Sequence, residues 1–275
     1  VGGWTLTSGV GNTWAKIISC YSGTLKLEDD FVSTKSIDLS FGGTFDANDK
    51  NVTIQSWLGS NTTGTTIYMG SGTWTITGDS GATTYRTWFV SVATLYCESS
   101  TIKITNTNAN TVLFAGGGKT YNNVWFSRGN STQTISISGD NTFNDFKDDG
   151  SEAHSILSTA GSTQTVTTFT VSGTDGKLIT LESTTATGHY HWIKSGGGYI
   201  SSNYLNIQHC VATPADTWYA HATSVDNQAA SEAGSGWIFG DAPSLSPSIS
   251  PSASPSVSPS ISPSISPSIS PSASQ

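Results

Sequence analysis

The sequence predicts an all-β protein: a single-stranded parallel β-solenoid with rungs of about 22 residues, followed by an extended Ser-Pro repeat tail. Three observations predict this class. Short runs alternate apolar and polar residues, these runs recur at a nearly fixed spacing, and the C-terminal segment repeats Ser-x-Ser-Pro. We place the solenoid body at residues 1–242 and the tail, a stalk or linker, at residues 243–275.

One set of triplets carries most of the spacing signal. The first six triplets start 22, 28, 22, 22 and 23 residues apart, and a seventh follows after 36, which indicates one insertion near Gly81 to Trp88 and one enlarged turn from Thr184 to Gly188. The triplets are Val52-Thr53-Ile54, Trp74-Thr75-Ile76, Ile102-Lys103-Ile104, Val124-Trp125-Phe126, Phe146-Lys147-Asp148, Phe169-Thr170-Val171 and Leu205-Asn206-Ile207.

When the triplets are stacked, their outer positions are apolar except at Asp148, and their middle positions are polar except at Trp125. Successive side chains of a strand point to opposite faces, so this pattern predicts an apolar interior and a polar exterior, with rungs about 4.8 Å apart. A second strand keeps the same spacing. It runs through Val112-Leu113-Phe114, Ile135-Ser136-Ile137, Ile156-Leu157 and Ile179-Thr180-Leu181.

The segments between these strands have the composition of tight corners. Gly116-Gly117-Gly118, Gly139-Asp140-Asn141, Gly161 and Gly196-Gly197-Gly198 each follow a strand, as expected where the backbone needs φ > 0. A β-sandwich of many short strands is the alternative fold. It is disfavoured because hairpin signals such as Asn-Gly are missing and a sandwich has no reason to repeat every 22 residues or so.

Composition restricts the partners. The chain has 275 residues, of which 11% are charged, and Lys+Arg 11 against Asp+Glu 19 gives a net charge of −8, so we expect no nucleic-acid binding. No apolar run is long enough to predict a membrane span. The chain starts at Val1 without a signal-like segment, and we expect a mature form or a fragment. Cys20, Cys97 and Cys210 show neither a zinc motif nor a disulfide framework, although one bridge stays open.

The tail has prolines at every fourth residue, which excludes helix and central strand and predicts a stiff extended rod on the order of 100 Å long. It is either a solvated spacer or an O-glycosylated stalk whose apolar edge packs on a partner. The expected O-glycosylation acceptors are Ser246, Ser248, Ser250, Ser252, Ser254, Ser256, Ser258, Ser260, Ser262, Ser264, Ser266, Ser268, Ser270 and Ser272.

Four segments together resemble a known group of proteins. They read FAGGGKTYNNVWFSRG, GDNTFNDFKDD, GSGWIFGD and SPSISPSASPSVSPS, and they are similar to β-helical repeat surface proteins with Ser-Pro tails that are predicted in environmental phage and bacterial sequences. The resemblance lies in repeat style and tail. It implies a structural or adhesive role on an exterior surface and supplies no catalytic residues.

Trp125 is the candidate for glycan contact. The stacked register places it between Lys103 and Lys147 on neighbouring rungs, which predicts two cation–π contacts worth roughly 0.5–1 kcal/mol each. An exposed indole is a stacking platform for sugars. The alternative is a ladder that only protects the sheet surface.

An enzyme of the pectin-lyase-like type is the runner-up. Its only acidic cluster in this sequence is Asp145, Asp148, Asp149 and Glu152 around Gly150. We interpret the cluster as a solvated loop where the rung bulges outward at Asp148, with a calcium or catalytic site as the alternative. No catalytic residue is assigned.

Two further sets of residues have weaker signals. His189, His191, His209 and Cys210 include metal-ligand types, but adjacent His209 and Cys210 should face opposite sides of a strand, so we assign no metal and no cofactor. The sequons at Asn51, Asn61 and Asn130 are candidate N-glycosylation sites.

The sequence therefore predicts a non-enzymatic structural protein outside a cell or on a virion. Its body would be a rigid solenoid, presented on the Ser-Pro stalk, whose uncapped ends stack on other copies or on other surface proteins. A glycan-binding adhesin or a polysaccharide depolymerase is the alternative.

Overall fold

A computed structural model describes residues 3–6, 18–19, 23–39, 42–59, 64–81, 86–228 and 235–243. Within these ranges the chain forms strands and turns and no helix. The strands are β1 (Gly3–Leu6), β2 (Ile18–Ser19), β3 (Thr24–Leu27), β4 (Phe31–Val32), β5 (Ile37–Asp38), β6 (Gly43–Asp46), β7 (Val52–Ile54), β8 (Trp57–Gly59), β9 (Thr65–Tyr68), β10 (Thr73–Ile76), β11 (Arg86–Val90), β12 (Thr94–Tyr96), β13 (Thr101–Ile104), β14 (Val112–Ala115), β15 (Thr120–Phe126), β16 (Ile135–Ser138), β17 (Thr142–Asp148), β18 (His154–Ser158), β19 (Thr163–Val171), β20 (Ile179–Ser183), β21 (Tyr190–Lys194), β22 (Ile200–Ser202), β23 (Leu205–Ile207), β24 (Cys210–Thr213), β25 (Trp218–Ala220), β26 (Val225–Asp226) and β27 (Trp237–Phe239).

These strands form four sheets, and every pairing between them is parallel. Sheet 1 has the order β1-β3-β6-β9-β12, and sheet 2 the order β24-β21-β19-β17-β15-β13-β10-β7-β4. Sheet 3 runs β2-β5-β8-β11-β14-β16-β18-β20-β23-β26, and sheet 4 runs β22-β25-β27. Each strand pairs with its counterpart one rung along the chain, so the predicted solenoid is confirmed and the β-sandwich is excluded.

The predicted stacking register is confirmed for six of the seven triplets. Val52, Trp74, Ile102, Val124, Phe146 and Phe169 form one continuous column of Cα partners in sheet 2. Their side chains are buried, whereas the middle positions from Thr53 to Thr170 lie on the outer face. The second predicted column is also present, because Val112, Ile135 and Ile156 are partners in sheet 3.

The seventh triplet was placed in the wrong column. Leu205, Asn206 and Ile207 form β23, which pairs with β20 in sheet 3. The first column continues instead through β22, which lies against β19 and starts at Ile200. The prediction failed because the added residues of this rung are spread over 172–178 and 195–199 as well as the turn from Thr184 to Gly188, so the spacing of 36 does not identify the partner strand.

Aromatic rings fill the interior from end to end. Adjacent ring centroids are 5.0–6.3 Å apart, a normal distance for packed aromatic side chains. The sequence of contacts is Phe45–Trp57, Trp57–Trp88, Trp88–Phe114, Phe114–Phe143, Phe143–Phe146, Phe146–Phe169, Phe169–Trp218 and Trp218–Trp237. The core therefore uses Trp as much as the Val, Ile and Phe that the sequence predicted.

The cross-section of the solenoid changes along its axis. From β3 to β14 each rung passes through sheets 1, 2 and 3, but sheet 1 ends at β12. The next rung takes a shorter path through Gly117, whose φ is 64° and where a Cβ would lie 1.9 Å from the carbonyl oxygen of Val90. Only glycine fits this crossing. Tyr121 fills the interior at this level, and its hydroxyl donates to the carbonyl of Gly116.

The chain divides into a unit spanning Val1–Ala242 and a unit spanning Pro243–Gln275. The tail serines and Cys20 lie outside the described residues, so the predictions on them stay predictions. Among the residues that are described, no helix is long and apolar enough to cross a membrane.

Candidate functional site

The ladder of Lys103, Trp125 and Lys147 forms as predicted on the outer face of sheet 2. The three residues are Cα partners on β13, β15 and β17. The Lys103 Nζ lies 4.1 Å from the centroid of the Trp125 ring and the Lys147 Nζ 4.3 Å from it. Each ammonium group comes from a different neighbouring rung, so each face of the indole is covered by one lysine.

The edge of the Trp125 ring is also engaged, because its Nε1 donates a hydrogen bond to Asp149 Oδ2 at 2.8 Å. A sugar stacks on an aromatic ring by its flat face, and both faces here have a cation against them. Glycan binding by these three residues stays a prediction. The geometry favours the alternative, a ladder that covers the outer surface of the sheet.

The acidic cluster is divided between the two faces of the sheet. Asp145 lies on the outer face in the same strand as Lys147, and Asp149 follows that strand on the same side. Burial raises the pKa of the Asp145 carboxyl, with the positive charge of Lys147 acting in the opposite direction. Four residues of extended strand separate Asp145 from Asp149 by about 13 Å, whereas glycoside hydrolysis uses carboxyl groups about 5–9.5 Å apart.

Asp148 does not bulge outward, and the prediction of a solvated loop there was wrong. It occupies the inward column between Phe126 and Val171, and its carboxylate is buried. The carboxylate accepts hydrogen bonds from the Gly150 backbone N–H at 2.9 Å and from His154 Nε2 at 2.6 Å. An interior carboxylate is tolerated here because both of its oxygens have partners.

His154 carries a positive charge in this setting. Its Nδ1 faces the carbonyl oxygen of Glu152 at 2.8 Å, and a carbonyl only accepts, so Nδ1 is protonated. Its Nε2 donates to Asp148. Burial alone would lower the pKa of His154, but the hydrogen bond and the charge of Asp148 outweigh it, and the pKa is raised.

Arg128 is the second cation near Asp148, and sequence reasoning missed it together with His154. Its guanidinium is buried and donates to the carbonyls of Asn106 and Gln133 and to the Ser131 hydroxyl. Burial lowers the pKa of Arg128, and the charge of Asp148 raises it. A signal for this cluster does exist: Asn106, Arg128 and Gly150 are spaced 22 residues apart, two positions after the inward column.

Gly150 explains how the imidazole fits. A Cβ at this position would lie 2.8 Å from His154 Cε1 and 3.2 Å from Asp148 Oδ1. The missing side chain leaves the space that His154 occupies. Glu152, the fourth member of the acidic cluster, forms an ion pair with Lys177 at the surface. The cluster is thus a structural charge network with no substrate-sized group of exposed carboxylates.

The histidine and cysteine residues are only partly brought together. The rings of His189 and His209 are 6.0 Å apart, while Cys210 is buried on the inward side and accepts a hydrogen bond from Trp237 Nε1. Across the part of the chain that the structure covers, no three His, Cys, Asp or Glu side chains are placed to hold a metal ion. Cys97 and Cys210 are free thiols.

The candidate N-glycosylation sites differ in their surroundings. Asn130 is exposed in a turn. Asn51 uses its Nδ2 to donate to Asp30 Oδ2 and its Oδ1 to accept from the Thr73 backbone N–H, so a glycan there would displace an existing contact. Asn61 lies outside the described residues.

Comparisons with known proteins leave the function to the structure. No family model, curated protein or solved structure matches this chain.

Proposed function

We propose that this protein is a non-enzymatic structural scaffold on the outside of a cell or virion. Its solenoid body acts as a rigid rod that the Ser-Pro tail presents, and copies of the body stack end to end. The observation that carries this proposal is the chain of aromatic contacts from Phe45 to Trp237, which ties every rung to the next through the interior. Close-packed interiors of this kind resist bending.

Stacking of copies is supported by the ends of the sheets. No described strand pairs with the outer edge of β26 or of β27. Such strands present unpaired backbone N–H and C=O groups and are templates for another chain. A rung of a second copy placed against them would continue the same parallel pairing.

The depolymerase alternative has less support. Asp148 faces the interior, and the outward Asp145 and Asp149 are about 13 Å apart along the strand, so the sequence cluster does not form a carboxylate pair suited to glycoside hydrolysis.

Sedimentation velocity and negative-stain microscopy of the full chain test this function. We expect the weight-average mass to rise with concentration and elongated particles to appear. Val225→Lys, which places a charge in the terminal strand β26 where Val225 is 40% exposed, should suppress the association. Val92→Lys is the matched control, because Val92 is 50% exposed but lies on the side of the solenoid. A single monomer boundary at all concentrations, or equal loss in both variants, would contradict the proposal.

A further inference from the structure

Sheet 1 ends in a step on the side of the solenoid. Its last strand, β12, pairs with β9 on one edge, and no strand among the described residues pairs with the other edge. The following rung crosses at Gly117, over Val90 and Ser91, instead of continuing sheet 1. Leu95 shows the consequence: its partner Ile67 is fully buried, whereas Leu95 is only partly buried.

Two tyrosines stack at this step. Tyr68 and Tyr96 are Cα partners on β9 and β12, and their rings are 4.7 Å apart with an interplanar angle of 4°. The centroid distance equals one strand spacing, so the ring faces are directed roughly along the axis of the solenoid. One face of Tyr96 lies against Tyr68, and the other is directed to where sheet 1 has no further strand. Tyr96 is accordingly 47% exposed and Tyr68 38% exposed.

Polar groups surround this open ring face. Thr94 lies two residues from Tyr96 on the same outer side of β12, at about 6.6 Å along the strand. Thr66 repeats that position one rung away, and Asp46 lies beside Tyr68 as its Cα partner on β6. The step therefore combines one apolar ring face with hydroxyl and carboxylate groups at its rim.

We propose that this step, which we call the tyrosine step and define by Tyr68, Thr94 and Tyr96, is a carbohydrate-binding site. A pyranose has an apolar C–H face and a rim of hydroxyls, and it would stack its apolar face on Tyr96 while the rim hydroxyls bond to Thr94. Aromatic faces with a polar tip suit such amphipathic ligands. The ladder at Trp125 lacks this feature, because lysines cover both of its faces.

A peptide strand is a less suitable occupant. The open edge of β12 is three residues long, and the exposed Glu98 and Ser99 follow it directly after Cys97. That length offers few backbone hydrogen bonds for an added strand, whereas one ring face suffices for one sugar.

The test uses the full chain on a glycan array, followed by calorimetric titration with cellohexaose, chitohexaose and maltohexaose. We expect binding to at least one glycan, about tenfold weaker in Tyr96→Ala, in line with the energy of a single aromatic stacking contact. Tyr96→Phe keeps the ring and should bind within about threefold of the unchanged protein. Trp125→Ala is the matched aromatic control and should bind normally.

Three results would overturn the proposal: no glycan bound at millimolar concentration, unchanged binding in Tyr96→Ala, or equal loss in Trp125→Ala. Thermal melting of each variant separates lost binding from lost folding. End-to-end association does not involve the tyrosine step, so failure here leaves the scaffold function standing.

Discussion

Asp148 is an ionisable residue in a column that otherwise holds apolar side chains. Its carboxylate lies inside the solenoid between Phe126 and Val171, with His154 and Arg128 as the neighbouring cations. Removing one member of a buried charge group leaves the others without compensation, which costs far more than the group contributes as a whole. The cluster therefore fixes the local arrangement of this corner more than it adds stability.

Replacing Asp148 should be strongly destabilising. Asp148→Asn leaves His154 and Arg128 buried without an anion, and we expect the free energy of unfolding to fall by about 3–5 kcal/mol in urea titrations. Asp175→Asn is the control, since Asp175 is exposed, and it should change stability by less than about 0.5 kcal/mol. Similar values for both variants would show that Asp148 is solvated after all.

His154 should make stability depend on pH. Its pKa is raised in the folded protein, so protonation favours folding. The contribution is fully present below about pH 6.5, the ordinary pKa of histidine, and is lost as the pH rises through the higher folded value. Urea unfolding across this range should show stability falling with rising pH, by more in the unchanged protein than in His154→Gln. An NMR titration that gives His154 a pKa below the ordinary value would contradict this.

At the scale of the strands, the repeat in the sequence was enough to place most partners. The register in sheet 2 follows from the 22-residue spacing and the alternation of side chains, both of which are visible in the triplets from Val52 to Val171. Stacked like residues must stay in register because a shift by one position would turn Phe146 and its partners outward.

Other elements could not be found this way. The column through Ile200, Trp218 and Trp237 was missed because corners of different length precede each strand, and spacing carries no information once corners vary. The tyrosine step was missed for a related reason: it depends on where sheet 1 stops, which is a property of the path between rungs. The inward orientation of Asp148 was overlooked because its partners His154 and Arg128 are distant in the repeat.

The aromatic interior of the strands gives a direct stability prediction. Phe146 contacts the rings of Phe126, Phe143, Phe169 and Trp192. Phe146→Ala should lower the free energy of unfolding by about 3–5 kcal/mol, because it removes a buried ring and leaves a cavity. Thr170→Ala, on the exposed face of the same sheet, should have an effect below about 0.5 kcal/mol. Comparable effects would mean that the interior is not close-packed at this level.

For the whole molecule, rigidity and function are linked. Each rung contacts only its neighbours, so the body can serve as a rod only if the interior is continuous along the axis. The aromatic contacts supply that continuity, and the interruption of sheet 1 at β12 changes the cross-section without breaking the column of sheet 2.

A spin-label distance between two exposed positions of that column tests this most directly. Thr53 and Thr170 are five rungs apart in register, which predicts about 24 Å between their Cα atoms. Labels at Thr53→Cys and Thr170→Cys, in a chain whose Cys20, Cys97 and Cys210 are replaced by alanine, should give one narrow distribution near that distance. A broad distribution, or a main distance below about 15 Å or above about 35 Å, would contradict a rigid in-register solenoid.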